Sequence, residues 1–277
     1  MIMVQRKFVK FQIISYIHNM KFRITHISDT HNKHKKLNGK LPGGDLLIHS
    51  GDISSLGRES EVKDFVKWFN KIEGYANKIF IAGNHDMSFD SEILLRNKLD
   101  YFDGGRNNWD TLASVGKPQW LDILLNSDLN SNVFYLENSF VELHGIKIWG
   151  SPISPSFGYG WAFNEDRGED ISEVWDGIPN DTDIVITHGP IYGYRDKTYR
   201  TYENVGCADL LHRLHAVKPH LHFSGHIHED YGYAPIQYGD WSGYAFNGCI
   251  CTLSYEPNNN PITFDYDFSE RILIDFI

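Results

Sequence analysis

Cysteine is scarce in this chain: three among 277 residues, at positions 207, 249 and 251. So low and odd a count gives no framework for a disulfide-stapled module and too few thiolates for a four-cysteine zinc site. Cys249 and Cys251 lie two apart in an apolar run that reads as a strand, with both thiols on one face. They are expected to be reduced core thiols, which points to a reducing compartment and a cytoplasmic location. No stretch approaches the roughly 20 apolar residues of a membrane span, so no membrane partner is expected. There is no internal repeat, low-complexity tract or linker. Positive charge is also in deficit, with 26 Lys and Arg against 36 Asp and Glu and a net charge of −10. Such a surface repels a phosphate backbone, so a nucleic-acid polymer is not expected. A small nucleotide stays open, because bound metals reverse the local charge.

What is present supports one large core: 41% of the residues are hydrophobic. The start is ambiguous. Arg6, Lys7 and Lys10 precede a short apolar run, without the longer run and small-residue cleavage site of a signal peptide. Residues 1–19 therefore read as an N-terminal extension: an ordered strand, a tail, or upstream coding sequence ahead of Met20. One domain is expected over residues 20–277.

Buried strands are predicted over Lys21 to Ser28, Asp45 to Ser50 and Lys78 to Ala82. A helix is predicted over residues 59–73, where Val62, Phe65, Val66, Phe69 and Ile72 recur at three- and four-residue steps. Strand, helix, strand in this order marks a parallel sheet with helical crossovers. Residues 103–120 read as a surface excursion. Val133 to Trp149 reads as a hairpin turning at His144-Gly145. Residues 150–168 read as a loop carrying Phe157, Tyr159, Trp161 and Phe163. Asp183 to Ile186 and Leu221 to Ser224 read as further strands, with a helix over Asp209 to Val217 between them and short strands to the C-terminus.

Five of these strands end in metal-ligand residues: Asp29-Thr30-His31, Gly51-Asp52, Gly83-Asn84-His85-Asp86, Thr187-His188-Gly189-Pro190 and Gly225-His226-Ile227-His228. Ligands in a mainly parallel sheet collect beyond the carboxyl ends of its strands, so one cluster is expected. A lone Asp after Gly can approach closely and bridge two cations through its two oxygens. A neutral Asn carbonyl limits the negative charge. A His-x-His pair on an extended segment sends both imidazoles to one side. Mixed oxygen and nitrogen donors suit Mn²⁺, Fe, Zn²⁺ or Co²⁺ better than Ca²⁺. Asp-Thr-His or Gly-Asp alone is weak, since either can be a plain turn; the signal is all five together, each after a strand.

In this order the motifs resemble the calcineurin-like metallophosphoesterase superfamily, over roughly residues 22–270. A narrower resemblance is to the metallophosphoesterase-domain-containing (MPPED, 239FB-like) phosphodiesterases. It is carried by Trp149-Gly150-Ser151-Pro152 with the aromatic loop to Asn164, by Thr187-His188-Gly189-Pro190, and by Gly225 to Gly232. Asn247, Cys251, Pro257 and Pro261 are similar to that family's tail. The resemblance implies an α/β fold, a four-layer αββα sandwich of two mixed sheets flanked by helices. It implies that Asp29, His31, Asp52 and His228 hold one divalent metal and Asp52, Asn84, His188 and His226 a second, with His85 beside them, oriented by Asp86. Mn²⁺ is the first choice, with Fe, Zn²⁺, Co²⁺ or Mg²⁺ as alternatives. Some animal members lack the first His of Gly-His-x-His; this chain keeps it as His226, which implies a complete second site.

The chemistry expected is hydrolysis of phosphodiesters, of small or cyclic nucleotides, by a metal-bridging hydroxide. His85 would assist the leaving group. Candidate substrate-binding residues are Asn84, His85, Phe157, Tyr159, Trp161 and Arg195. His26 and His49 read as core histidines or residues behind the ligands. A phosphomonoesterase, including a protein phosphatase, uses the same site, but the latter usually shows a basic groove, and none is visible. An idle scaffold of this fold is the rival from another class, and such chains normally lose ligands.

Overall fold

The computed structural model describes residues 21–93 and 118–277. The extension over residues 1–19 and most of the excursion over 103–120 lie outside the described residues. Two six-stranded sheets carry the fold. In spatial order the first comprises β14 (Ile272–Phe276), β13 (Ile262–Asp267), β1 (Lys21–Ile27), β2 (Gly44–Ser50), β3 (Tyr75–Ile81) and β4 (Val133–Tyr135). The second comprises β11 (Gly232–Tyr238), β12 (Trp241–Asn247), β10 (Leu221–Ser224), β9 (Ile184–Thr187), β6 (Ile146–Ser151) and β5 (Ser139–Leu143). A small pair, β7 (Ser154–Pro155) and β8 (Asn164–Glu165), lies in the aromatic loop. Strands β1 to β4 run parallel, as do β6, β9, β10 and β12, while the remaining pairs of the two large sheets are antiparallel.

The central strands are apolar on both faces because each face meets a different core. Ile24, Ile48, Ile79, Ile81, Ile184 and Ile186 join the cluster shared by the two sheets. Phe246 of the second sheet stacks there on Phe264 of the first, with centroids 4.6 Å apart. The alternate residues Leu47, Phe80 and Val185 face outward onto helices. Helix α1 (Glu59–Lys71) covers the first sheet with Phe65 and Phe69; α2 (Gln119–Ile123) is short; α3 (Glu169–Asp176) and α4 (Ala208–Val217) bring Trp175, Leu210 and Leu214 to the other cluster. The layers are helix, sheet, sheet, helix.

Two sequence expectations change. Helix α1 ends at Lys71, where Ile72 turns extended, and the buried Lys78 of β3 caps it, donating from Nζ to the carbonyls of Phe69, Asn70 and Ile72 at 2.7, 3.0 and 2.9 Å. These are the carbonyls a helix end leaves unpaired. The hairpin is confined to β5 and β6; Val133–Tyr135 instead pairs in parallel with β3 in the other sheet. Both arrangements give the same local pattern, so periodicity does not separate them.

Candidate metal centre

The loops after β1, β2, β3, β9 and β10 meet at one end of the sandwich. They come from both sheets. Backbone contacts close the gap: Ser28 N donates to Gly248 O at 2.8 Å, and Ile250 N to Ser28 O at 2.9 Å. Four candidate ligands have backbones in the left-handed region: Asp29 (φ 50°), His31 (φ 39°), Asp52 (φ 54°) and His226 (φ 66°). That conformation costs a non-glycine residue on the order of 1 kcal/mol or more, and it persists only where surroundings over-determine it. Gly225 and Gly83 let the loops approach. A Cβ at Gly225 would collide with the Asp29 carboxylate, and one at Gly83 with the carboxylate of Asp52.

The side chains form two groups joined at Asp52. In the first, His228 Nε2 lies 3.2 Å from Asp29 Oδ1 and 3.2 Å from His31 Nε2. In the second, His188 Nε2 lies 2.9 Å from Asn84 Oδ1. Asp52 Oδ2 stands between them, 3.7 Å from His31 Nε2 and 3.5 Å from His188 Nε2. The other oxygen, Oδ1, accepts from His85 N at 2.8 Å. One oxygen of Asp52 thus faces both groups, not one oxygen each. Ligand atoms of Asp29, His31 and His228, and of Asp29, Asp52 and His188, lie within 4.8 Å of one another. His226 sits at the second group, its ring 5.0 Å from that of His188. Its backbone is turned rather than extended, with Ile227 N donating to Gly225 O at 2.7 Å. His226 and His228 consequently serve different groups.

The donor set fits divalent cations. Two fully buried carboxylates need positive charge, and imidazoles point at them. The Nδ1 atoms of His188 and His228 pair with the carbonyls of Ser50 and Thr252, both at 3.0 Å, so each Nε2 turns to the cluster. Burial works against charge on His228, yet Asp29 raises it to about 9. His188 is likewise opposed by burial and raised by Asp52 to about 9. Burial opposes ionisation of Asp52, but His188 and His85 hold its carboxyl well below the usual range. His226 is pushed down to about 3 by burial and by His188, which keeps its lone pair free for a metal.

His85 stands at the mouth. Its Nδ1 pairs with Ser55 O at 2.8 Å, and its ring lies 4.4 Å from that of Trp161. The Asp86 carboxylate is directed elsewhere, against the expectation that it orients His85. The Asp86 carboxylate accepts from Ile53 N, Ser54 N and Gly83 N at 3.1, 2.9 and 2.9 Å, and from Ser54 Oγ. It holds the loop that carries Ser55, and so acts on His85 at one remove. Burial, then the charge on Asp52, push the Asp86 carboxyl up to about 7, with these donors pulling the other way.

A cleft of about 180 Å³ opens over the cluster. Asp52, Asn84, His85, His226 and His228 form its floor, with Phe157, Trp161, Glu229, Leu253 and Tyr255 around it. Phe157 and Trp161 therefore border the site. Tyr159 is 74% exposed and does not line the cleft. Arg195 does not line it either: its guanidinium donates to Tyr233 O and, at 3.2 Å, to Asp230 Oδ1.

The sequence reading missed Leu253 and Tyr255, which carry no motif, and gave no role to Glu229, which lies inside the Gly225–Gly232 stretch. It also left the buried histidines without partners. His26 of β1 pairs with Ser50 Oγ at the end of β2, at 2.8 Å. His49 of β2 pairs with Thr30 Oγ1 beyond β1, at 2.9 Å. His222 of β10 pairs with Thr187 Oγ1 at the end of β9, at 2.8 Å. Each reaches to the neighbouring strand and holds a hydroxyl residue beside a candidate ligand loop. Cys249 is buried with Sγ 3.2 Å from Asp29 Oδ2, and Cys251 Sγ faces Thr30 O at 3.8 Å. Neither lies in a strand; Cys249 makes only an isolated bridge to Ser28.

This clustering of strand-end donors is the mark of a metal-dependent phosphoesterase. The calcineurin-like phosphoesterase family model matches residues 22–230, and the chain belongs to that family. It is 39% identical over 247 residues to human metallophosphoesterase domain-containing protein 1, an alignment covering 88% of this chain and 70% of the human protein. Among solved structures, the protein TT1561 of Thermus thermophilus shares the fold with a TM-score of 0.55 at 13% identity, covering 92% of this chain and 98% of that one. Phosphopantetheinyl hydrolase of Mycobacterium tuberculosis matches with a TM-score of 0.52 at 14% identity, covering 84% and 90%. Among the described residues no helix is long and apolar enough to cross a membrane.

Proposed function

We propose that this chain is a phosphodiesterase with a two-metal centre, acting on small nucleotide diesters. The observation that carries it is Asp52 Oδ2 standing between two donor groups, 3.7 Å from His31 on one side and 3.5 Å from His188 on the other. Asp29, His31, Asp52 and His228 would hold one cation, and Asp52, Asn84, His188 and His226 the other, with Mn²⁺ the first candidate. Bound there, divalent cations supply Lewis-acid chemistry and a lowered pKa for water. The remaining tasks belong to the chain. Asn84 adds a neutral oxygen, which keeps the charge of the site from falling further. His85 Nδ1–H donates to Ser55 O, which orients the ring with Nε2 towards the cleft; as an imidazolium it would carry at Nε2 the proton that the departing alkoxide takes, leaving the neutral Nδ1–H tautomer. Phe157 and Trp161 wall the cleft and limit water, and their faces suit a nucleobase or an aryl ester.

Hydrolysis of bis-p-nitrophenyl phosphate, cyclic and linear nucleotide diesters and phosphomonoesters, with the supplied metal varied, tests this reading. Metal-dependent turnover favouring diesters is expected; turnover of monoesters alone would overturn the diesterase assignment.

A further inference from the structure

The cleft over the metal cluster does not by itself enclose a whole nucleotide. At about 180 Å³ it admits a phosphate and part of one substituent, whereas pockets for whole small molecules run from about 300 Å³ upward. A second cavity of about 540 Å³ adjoins it and shares two lining residues with it, Glu229 and Leu253. Its other walls come from the loop Thr198–Thr201 and from Val205. We infer that this adjoining cavity is the specificity pocket, and that it takes the nucleoside arm of the ester whose phosphate sits over the metals. The inference rests on the phosphodiesterase reading and adds the place and chemistry of substrate selection.

The lining chemistry favours a nucleoside. Tyr199 is 66% exposed, and its ring lies 6.1 Å from that of Tyr202, itself 71% exposed. Leu253, 55% exposed, provides the apolar surface that a flat base covers. Glu229 stands at the junction of the two cavities, where its carboxylate accepts from Tyr199 N at 3.3 Å. Carboxylate oxygens at that point meet ribose hydroxyls, which are donors, while Arg200 on the same wall balances the carboxylate's charge. The loop is braced within itself and from the turn after β10. Thr198 and Thr201 share a hydroxyl hydrogen bond at 2.9 Å, and Lys197 N donates to Asp230 Oδ2 at 2.9 Å. The glutamate and the aspartate both belong to the 3₁₀ turn opened by His228, so the pocket wall and a candidate metal ligand share one short element.

The test compares two substrates of one leaving group, thymidine 5′-p-nitrophenyl phosphate and methyl p-nitrophenyl phosphate, in the whole chain supplied with Mn²⁺. Tyr199→Ala removes the stacking face, and Val205→Trp fills the pocket. Both should lower the ratio of kcat/KM for the nucleoside ester to that for the methyl ester by about 5- to 100-fold, chiefly through KM. An unchanged ratio, with both esters hydrolysed, overturns the pocket and leaves the diesterase reading standing. If neither ester is hydrolysed, the diesterase reading fails, and calorimetric binding of thymidine 5′-monophosphate decides the pocket separately. Weakening of at least about 5-fold in Tyr199→Ala supports it, and equal affinity in both proteins overturns it.

Discussion

The floor and the rim of the cleft are built in opposite ways. On the floor, Asp29, Asp52, Asn84 and His188 are buried, several backbones are left-handed, and glycines admit the neighbouring loops at distances a Cβ would forbid. On the rim, Phe157, Leu253 and Tyr255 are exposed and lie on loops. The floor is over-determined because phosphoester chemistry tolerates little displacement of the groups around the phosphorus. The rim is free to vary because it needs only a surface complementary to the rest of the substrate. Substitutions on the floor should therefore abolish chemistry, and substitutions on the rim should redistribute it among substrates.

The largest effect is expected at Asp52. Asp52→Ala removes the oxygen common to both donor groups. Losing several kcal/mol of charge stabilisation corresponds to about 10³-fold or more in kcat/KM, and metal pairing should be lost with it. Steady-state kinetics beside metal analysis checks both. His85→Ala should keep its metals and lower kcat by about 10²- to 10⁴-fold on an ester with a poor leaving group. With p-nitrophenolate, which departs without a proton, the loss should be much smaller. Equal losses on the two esters would remove His85 from the role of acid.

The histidines behind the floor come next. His49→Ala frees the Thr30 hydroxyl between two candidate ligands and should weaken Mn²⁺ binding by about tenfold, at the lower end for groups that support ligands. Affinity measured by calorimetry at matched thermal stability separates positioning from simple destabilisation. On the rim, Trp161→Ala should reduce kcat/KM for a linear dinucleotide, whose second base would meet the Phe157–Trp161 wall, by about 5- to 100-fold and affect methyl p-nitrophenyl phosphate less.

The smallest effect is on stability. Burial holds His49 and His222 down to about 3 in the folded protein, against about 6.5 in an unfolded chain. Between those values the unfolded chain binds more protons, so stability rises with pH. Their contribution is complete above about 6.5 and is lost as pH falls towards 3. Chemical denaturation at about pH 7 and about pH 5 should show the loss, and His222→Gln should reduce it.

The floor was legible in the sequence because each candidate ligand follows a strand by one to four residues, and strand and motif are both local signals. The rim was only half legible. Phe157 and Trp161 stand out as aromatics among small residues, whereas Glu229 and Leu253 reach the cleft only when the loops after β10 and β12 fold over it. The partners of His26, His49 and His222 were hidden for a related reason. A strand histidine looks the same whether it packs or reaches to a neighbour, and register alone decides. Ser55 was missed because it acts through its carbonyl, which no residue type reveals. Asp86 was assigned to His85 by adjacency in sequence, but the turn after β3 sends its carboxylate back into the loop Asp52–Ser54.

The central claim is that two donor groups share Asp52. The most direct measurement is calorimetric titration of the whole chain with Mn²⁺, paired with elemental analysis of the loaded protein. Two cations per chain are predicted, with both weakened together in Asp52→Ala. One cation per chain at saturation, or loss of only one in Asp52→Ala, would contradict the shared carboxylate.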